Sequence, residues 1–359
     1  MIIDQKIIKQ KLNADLALII SEILECYQNN VTSIILYGSY GRGEGGFFIN
    51  DEKKISAYND YDLVVISDEF VSSDKLKSLE ENLVAITDVQ WIDICQKNKE
   101  NLQNLSLTIF NYDLKFGSKV IYGDSEILNY IPDFDSQEIP LNEAETLYFT
   151  RLWPFLGSMT ENAFVIGLKN DESRFFRNQM CKAFLAVVDV VLLQSKLYHT
   201  SYLERVDRFK KVTSTQDVCM IADWAIQEKL RPSNQTMSGE EVKELYGSVL
   251  SVYLKEMYQV LSKFYNTEIK SASDLRKGLL YSKYEWLLFL KTTIKTKSLI
   301  YIKRRNLKIA QGLVAEAFFN QEFENEAKYY LKKLDKTLNL DNMKLHDLRI
   351  LVAKLRMKI

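Results

Sequence analysis

At 359 residues, with 47 Lys and Arg against 48 Asp and Glu, the chain has length for two cored domains and lacks the strong positive charge of a dedicated nucleic-acid binder. Its four cysteines (Cys26, Cys95, Cys181, Cys219) form no CxxC pair, which excludes a zinc ribbon or disulfide framework and reads as reduced thiols in a cytoplasmic protein. Only two histidines, His199 and His346, are present, so a catalytic triad or multi-histidine metal site is disfavoured and chemistry must run on carboxylates, amines, guanidinium groups or hydroxyls.

The N-terminal residues Met1 to Lys6 lack the apolar run of a signal peptide. An apolar stripe of Ile7, Leu12, Leu16, Ile19, Ile20, Ile23 and Leu24 predicts a helix over Asp4 to Gln28. Ser33 to Tyr37 reads as a buried strand. It runs into Gly38-Ser39-Tyr40-Gly41-Arg42-Gly43-Glu44-Gly45-Gly46, which holds five of the thirteen glycines. Polar residues from Asn50 to Asn59 read as a surface insertion ahead of a strand over Asp62 to Ile66. A helix over Ser73 to Leu83 and a strand over Thr87 to Cys95 follow, then a helical stretch over Asn101 to Phe110 and a short strand within Phe116 to Asp124.

The segment from Ile131 to Pro140 is the best domain boundary. Beyond it helical patterns run to the C-terminus, with polar breaks near Asn170 to Glu172, Arg231 to Gly239 and Asn339 to Asn342. The expected class is α+β: a small sheet domain followed by an all-helical one. The most apolar helix, Ala183 to Leu193, is interrupted by Asp189 and is too short to span a bilayer, so no membrane partner is expected. From Lys291 to Lys308 seven basic residues occur without an acid, which reads either as a solvated face or as a surface for an anionic partner.

Two features carry chemistry. Glycines crowded after a strand leave a sharply turned, bare backbone of the kind that receives phosphate. Asp60 and Asp62, two apart at the start of a strand, point to one side of the sheet and suit a hard cation such as Mg²⁺. Together they suggest an enzyme that handles nucleotides. The glycine cluster has neither the Lys-Ser/Thr ending of a P-loop nor the GxGxxG spacing of a dinucleotide fold.

The run Gly38 to Glu44 followed by Asp60-Tyr61-Asp62 resembles the signature of the DNA polymerase beta-like nucleotidyltransferase superfamily, in particular its minimal and aminoglycoside-type branches. The resemblance covers roughly residues 30 to 125. The Ser39 to Asp60 spacing is longer than in the compact branches, and the polar stretch after Asn50 accounts for it. It implies a mixed-sheet nucleotidyltransferase domain over residues 1–135 and a helical domain over 136–359.

The third carboxylate of that pattern falls on Asp93, flanked by apolar residues, with Asp88 as the weaker candidate. The resemblance further implies two Mg²⁺ ions held by Asp60, Asp62 and Asp93. An NTP, ATP foremost, would be held at Gly38, Ser39 and Arg42, and an NMP would pass to a hydroxyl of a small molecule or protein. Arg42 reads equally as an ion-pair partner of Glu44 or Glu52. In the helical part, Arg174, Arg177, Lys182, Tyr202 and Arg205 are candidates for clamping the triphosphate. Lys182 and Tyr202 are the chosen nucleotide contacts, with solvated basic residues as the alternative. Tyr198, Tyr202 and Trp153 can stack a base or pack in the core. Two other readings stand beside this one: nucleotide addition to an RNA end, and a non-catalytic, antitoxin-like nucleotide-binding module.

Overall fold

Capped by the Asp4 carboxylate, which accepts from the Lys6 amide, helix α1 spans Gln5–Cys26 and leads into β1 (Ser33–Tyr37). The computed structural model describes residues 4–50, 53–158, 160–213, 215–233, 235–298 and 300–357. After β1 come a single helical turn, α2 (Gly38–Gly41), and two short strands, β2 (Phe47–Ile49) and β3 (Ile55–Ala57). Next are β4 (Tyr61–Ile66), α3 (Ser73–Thr87), β5 (Ile92–Lys97), α4 (Lys99–Gln103), α5 (Ile109–Phe116) and β6 (Lys119–Gly123).

The main sheet has the order β5-β4-β1-β6, with β1 antiparallel to both β4 and β6 and β4 parallel to β5. Alternation of side chains divides its apolar residues between two cores. Ile34 and Leu36 of β1, Leu63 and Val65 of β4 and Ile92 and Ile94 of β5 pack with Ile19 and Ile23 of α1 and Leu79 and Leu83 of α3. On the other face Ile35, Val64 and Ile66 meet Leu102 of α4, Leu114 of α5, Ile127 and Ile131. The sheet is therefore covered on both sides, which is why its central strands read as continuous apolar runs.

Helices make up the regular structure that follows: α6 (Asn142–Arg151), α7 (Trp153–Gly157), α8 (Ala163–Ile166), α9 (Asn170–Gln194), α10 (Tyr202–Val212), α11 (Gln216–Leu230), α12 (Gly239–Tyr265), α13 (Ala272–Tyr281), α14 (Lys283–Thr296), α15 (Ile300–Glu316), α16 (Glu322–Leu334) and α17 (Leu345–Arg356). This is the α+β class expected from the sequence. The chain forms two compact units, one of Met1–Pro140, Lys196–Val212 and Ile226–Ser233, the other of Leu141–Ser195, Thr213–Ala225 and Asn234–Ile359. In the second unit the long helix α12 starts at a capping box of Ser238 and Glu241 and packs on α6, α8 and α9, while α15 packs on α13, α14, α16 and α17. Among the described residues no helix is long and apolar enough to cross a membrane.

Several expected elements differ in extent. The polar stretch after Asn50 is not a plain surface loop: β2 and β3 pair antiparallel through it, burying Ser56, Ala57, Tyr58 and Asn59, whereas Asp51 and Glu52 lie outside the described residues. Helix α3 continues to Thr87, whose hydroxyl donates to the Leu83 carbonyl at 2.7 Å, and Asp88 ends it in the left-handed region, so β5 begins only at Ile92. The stretch expected as one helix from Asn101 becomes two, because Asn98 and Thr108 each cap a new start. Asn170 to Glu172 opens α9 instead of breaking a helix, since Asp171 and Glu172 favour an N-terminal turn.

Leu63 is fully buried in the middle of β4. Leu63→Ala should lower unfolding stability by about 2–5 kcal/mol, read as a lower urea midpoint at unchanged slope; a shift within error would show that the core can collapse around the missing atoms.

Candidate active site

Strand pairing draws the acidic residues together. Tyr37 of β1 is the register partner of Asp62 in β4, and Asp62 is the partner of Asp93 in β5. All three share the parity of Ile35, Val64 and Cys95, so they form a row across three strands on the α4–α5 face of the sheet. Asp60 lies two residues before Asp62, next to the strand's first residue.

Asp93 is exposed to solvent at its strand position, yet its carboxyl is perturbed. Desolvation, followed by the charge of Asp60, raises the Asp93 carboxyl above its ordinary value. Burial also raises the Tyr37 phenol, with further contributions from Asp62, Asp93 and Asp60. Asp88, the weaker candidate, is occupied elsewhere: it accepts from Ser56 Oγ at 2.9 Å and Asn50 Nδ2 at 3.2 Å.

The glycine cluster begins at the same end of the sheet. Gly38 has φ +67°, and a Cβ there would overlap the Asp62 carboxylate, so only glycine lets the turn close on that acid. Ser39 follows inside the buried turn. At the far end of the cluster the Tyr40 hydroxyl donates to the Gly46 carbonyl at 2.6 Å and the Gly46 amide donates to Asn59 Oδ1 at 2.9 Å. The Tyr40 ring sits between those of Phe47 and Tyr61.

Between these anchors lies a buried ionic network. The Glu44 carboxylate accepts from Ser201 Oγ at 2.7 Å and from the Tyr202 and Leu203 amides at 2.9 and 3.2 Å, so it caps the start of α10 from another part of the chain. Arg42 lies with its Nε 3.4 Å from Glu44 and its Nη1 3.3 Å from Asp113 of α5. Asp113 also accepts from Arg205 Nη2 at 2.7 Å and from the Tyr198 hydroxyl at 3.2 Å. Arg205 donates further to the carbonyls of His199 and Thr200. The guanidinium groups of Arg42 and Arg205 stand 4.5 and 4.8 Å from the Tyr202 ring centre, and the Lys229 ammonium stands at 5.4 Å.

Of the residues singled out in the sequence, Gly38, Ser39, Arg42, Asp60, Asp62, Asp93, Tyr202, Tyr198 and Arg205 all belong to the first unit. Arg42 pairs with Glu44, but in a buried setting with its side chain 6% exposed; Glu52 lies outside the described residues. Lys182, Arg174 and Arg177 are on α9 in the second unit, where Arg174 pairs with Asp171 and Arg177 lies 5.9 Å from the Trp224 ring centre. Trp153, also there, packs edge-on against Phe175.

Asp113 and Ser201 were not legible as site residues. The one available signal for the network is that Glu44 is the only acid inside the glycine cluster. Among the described residues no group of three or more His, Cys, Asp or Glu side chains is gathered closely enough to hold a metal ion.

No protein-family model matches the chain, and no curated protein matches it. Among solved structures the chain is similar to a spectinomycin adenyltransferase from Enterococcus faecialis, determined with ATP and spectinomycin. The identity is 12% and the TM-score 0.41, over 68% of this chain and 98% of that one.

Glu44→Ala removes the acceptor of two backbone amides and a hydroxyl. Each group left unpaired should cost about 1–3 kcal/mol, with faster hydrogen exchange at Tyr202 and Leu203 as the local readout. Unchanged exchange there would mean that water replaces the carboxylate.

Proposed function

We propose that the chain is a Mg²⁺-dependent nucleotidyltransferase that moves a nucleoside monophosphate from an NTP, ATP foremost, to a hydroxyl of a small molecule or protein. The observation that carries this reading is the meeting of Gly38 with the Asp62 carboxylate, at the end of a row that includes Asp93 and is flanked by Asp60. A bare turn meeting one carboxylate, with two further carboxylates near it at the same end of the sheet, is the arrangement that receives a nucleotide with its cation.

The donors suit a hard divalent cation in kind, since all three are carboxylates; desolvation, followed by the Asp60 charge, raises Asp93. Asp60, Asp62 and Asp93 would hold it. When bound, such an ion neutralises charge on the phosphoryl oxygens and steadies the leaving pyrophosphate.

The chain's own groups do the rest. The Gly38 backbone and the Ser39 hydroxyl bind the β- and γ-phosphates and orient the α-phosphorus for in-line attack. The acceptor oxygen bonds to that phosphorus, the bond to the bridging oxygen breaks, and pyrophosphate leaves. Asp93, raised above an ordinary carboxylate, takes the proton from the acceptor hydroxyl. Tyr202 lies against Arg42 and Arg205 and can offer its ring edge to the nucleotide.

The decisive assay incubates the full chain with Mg²⁺ and each labelled NTP, follows pyrophosphate, and looks for label on small-molecule, protein and RNA pools. Pyrophosphate release with label on a non-RNA pool is expected; no release with any NTP would defeat the reading. Asp60→Ala or Asp62→Ala should abolish transfer with the fold retained, as judged by circular dichroism. Near-wild-type transfer in either variant would remove these residues from the site.

Asp93→Asn should lower kcat far more than it weakens NTP binding. It also has a stability signature. Because the folded chain holds this carboxyl above its unfolded value, ionising it costs stability. That cost is absent at acid pH, where the group is protonated in both states, and develops as pH rises through the raised value. Asp93→Asn should therefore raise Tm at neutral pH and leave it unchanged in acid. Wild-type kcat should fall as pH drops through the same range. A neutral-pH Tm that falls in the variant would contradict the desolvation argument.

A further inference from the structure

Helix α14 turns part of its apolar surface, Leu288 and Phe289, inward, and presents a second apolar stripe outward. Its one fully buried side chain is a carboxyl, Glu285, 2% exposed, whereas Trp286 is 59% exposed, Ile294 76% exposed, and Leu287 and Leu290 lie between them on the surface. Burying a Glu while showing Trp, two Leu and an Ile to water is the reverse of what a surface helix needs.

The exposed residues are ordered. Leu287, Leu290 and Ile294 follow the three-then-four spacing of a helix–helix seam, with Trp286 alongside. Lys283 and Lys297 stand at the two ends of this seam, Lys291 flanks it and Lys295 lies one turn beyond Lys291, so the exposed charges around it are all positive. Beside Trp286 a cavity of about 200 Å³ opens between α14 and α15, lined also by Phe289, Ile302 and Arg305. The Arg305 Nε is buried without a hydrogen-bond acceptor. Glu285 lines the same cavity, and its Oε2 too has no partner.

We propose that this face of α14 docks an amphipathic helical segment of a partner protein, one whose apolar seam is bordered by Asp and Glu. The apolar seam matches a knobs-into-holes contact, the lysines at its ends and flank select acidic neighbours, and the cavity at Trp286 takes one side chain of the partner.

The other occupants fit less well. In a second copy of the chain, antiparallel α14 helices would set Lys283 against Lys297, and parallel ones would set each lysine against itself, so like charges would meet along the seam. A bilayer takes a broad apolar face and has no use for a side-chain-sized hole, whereas this stripe is one seam wide. A polyanion such as RNA would meet the lysines but leave the two leucines and the isoleucine uncovered. The basic run that begins at Lys291 thus acquires a function in its first part, while Lys308, at its other end, is paired with Glu145. This inference does not depend on the proposed enzymatic activity.

The test displays three-heptad helical peptides with varied apolar seams, one library bordered by Glu and one by Lys, against the full chain and against a double variant, Leu290→Asp with Ile294→Asp. The Glu library should enrich at least about tenfold over the Lys library on the wild type, lose that enrichment on the double variant, and weaken with added salt. Both substituted residues are solvent-exposed, so the variant is expected to fold, with circular dichroism as the check. A second variant, Lys291→Glu with Lys295→Glu, should move the preference toward the Lys library whatever the first one does. Equal enrichment of the two libraries, or enrichment that survives the double variant, would overturn the proposal. So would sedimentation as a dimer that the double variant dissolves, or binding to phosphatidylserine vesicles or RNA that an enriched peptide does not compete away.

Discussion

One carboxylate, Glu44, sets the position of the glycine cluster. A run with five glycines in nine residues has little of its own to fix it, because glycine surrenders more backbone entropy on ordering than any other residue. The turn is ordered because three donors at the start of α10 converge on Glu44 and because Arg42 is held between Glu44 and Asp113. The helix gains as well: its first amides, which have no partners within it, obtain a negatively charged acceptor at the positive end of the dipole. The same contacts serve loop and helix, so neither is ordered at the other's expense. Removing the charge of a buried ion pair from one side leaves the other charge stranded, which makes Arg42, Asp113 and Arg205 a unit and not three separate contributions.

The carboxylate row is the opposite case. Desolvation, followed by the charge of Asp60, raises Asp93. Two residues further along this face the same strands carry Val64 and Cys95, which pack in a core. At Asp93 an ionised carboxyl carries a local cost that the surrounding sheet can sustain. The two cores on either face, with Leu63 and Val64 fully buried, are what sustain it.

Much of this was legible in the sequence, and what was not has physical causes. Short-range signals worked where a periodic or turn-forming pattern is sufficient: the strand at Ser33 to Tyr37, the strand at Asp62 to Ile66, and the turn at Gly38 follow from apolar runs and glycine alone. Boundaries slipped where a single polar side chain decides between continuing and stopping. Thr87 extends α3 by bonding back one turn, and Thr108 starts α5 inside a stretch whose periodicity looked continuous. The stretch after Asn50 was polar enough to read as a loop, yet it pairs β2 with β3 because Phe47 and Ala57 face a core. The partners of Glu44 lie at Ser201 to Leu203, more than a hundred and fifty residues away, and no local pattern announces a contact at that separation. Helix α14 misleads in another way: Leu287, Leu290 and Ile294 are at helical spacing, as a core-facing stripe would be, but they face out.

The mixed pairing of the sheet explains why Gly38, Asp62 and Asp93 meet at one end of it. Because β1 is antiparallel to β4, the loop that leaves the end of β1 emerges beside the start of β4, and Gly38 arrives at Asp62. Because β4 is parallel to β5, joined through α3, the start of β5 lies at that same end, and Asp93 arrives beside Asp62. An all-antiparallel meander would carry the start of β5 to the far end of the sheet, and a fully parallel sheet would carry the loop after β1 away from the start of β4. One antiparallel and one parallel neighbour is the minimum that gathers a turn and two strand starts at one edge. The side-chain period of two then fixes which residues they present, since a one-residue slip of β5 would replace Asp93 on that face by Ile92 or Ile94. The register is held by Ile92 and Ile94 in the α1–α3 core, so the packing on one face of the sheet determines which residues the other face presents.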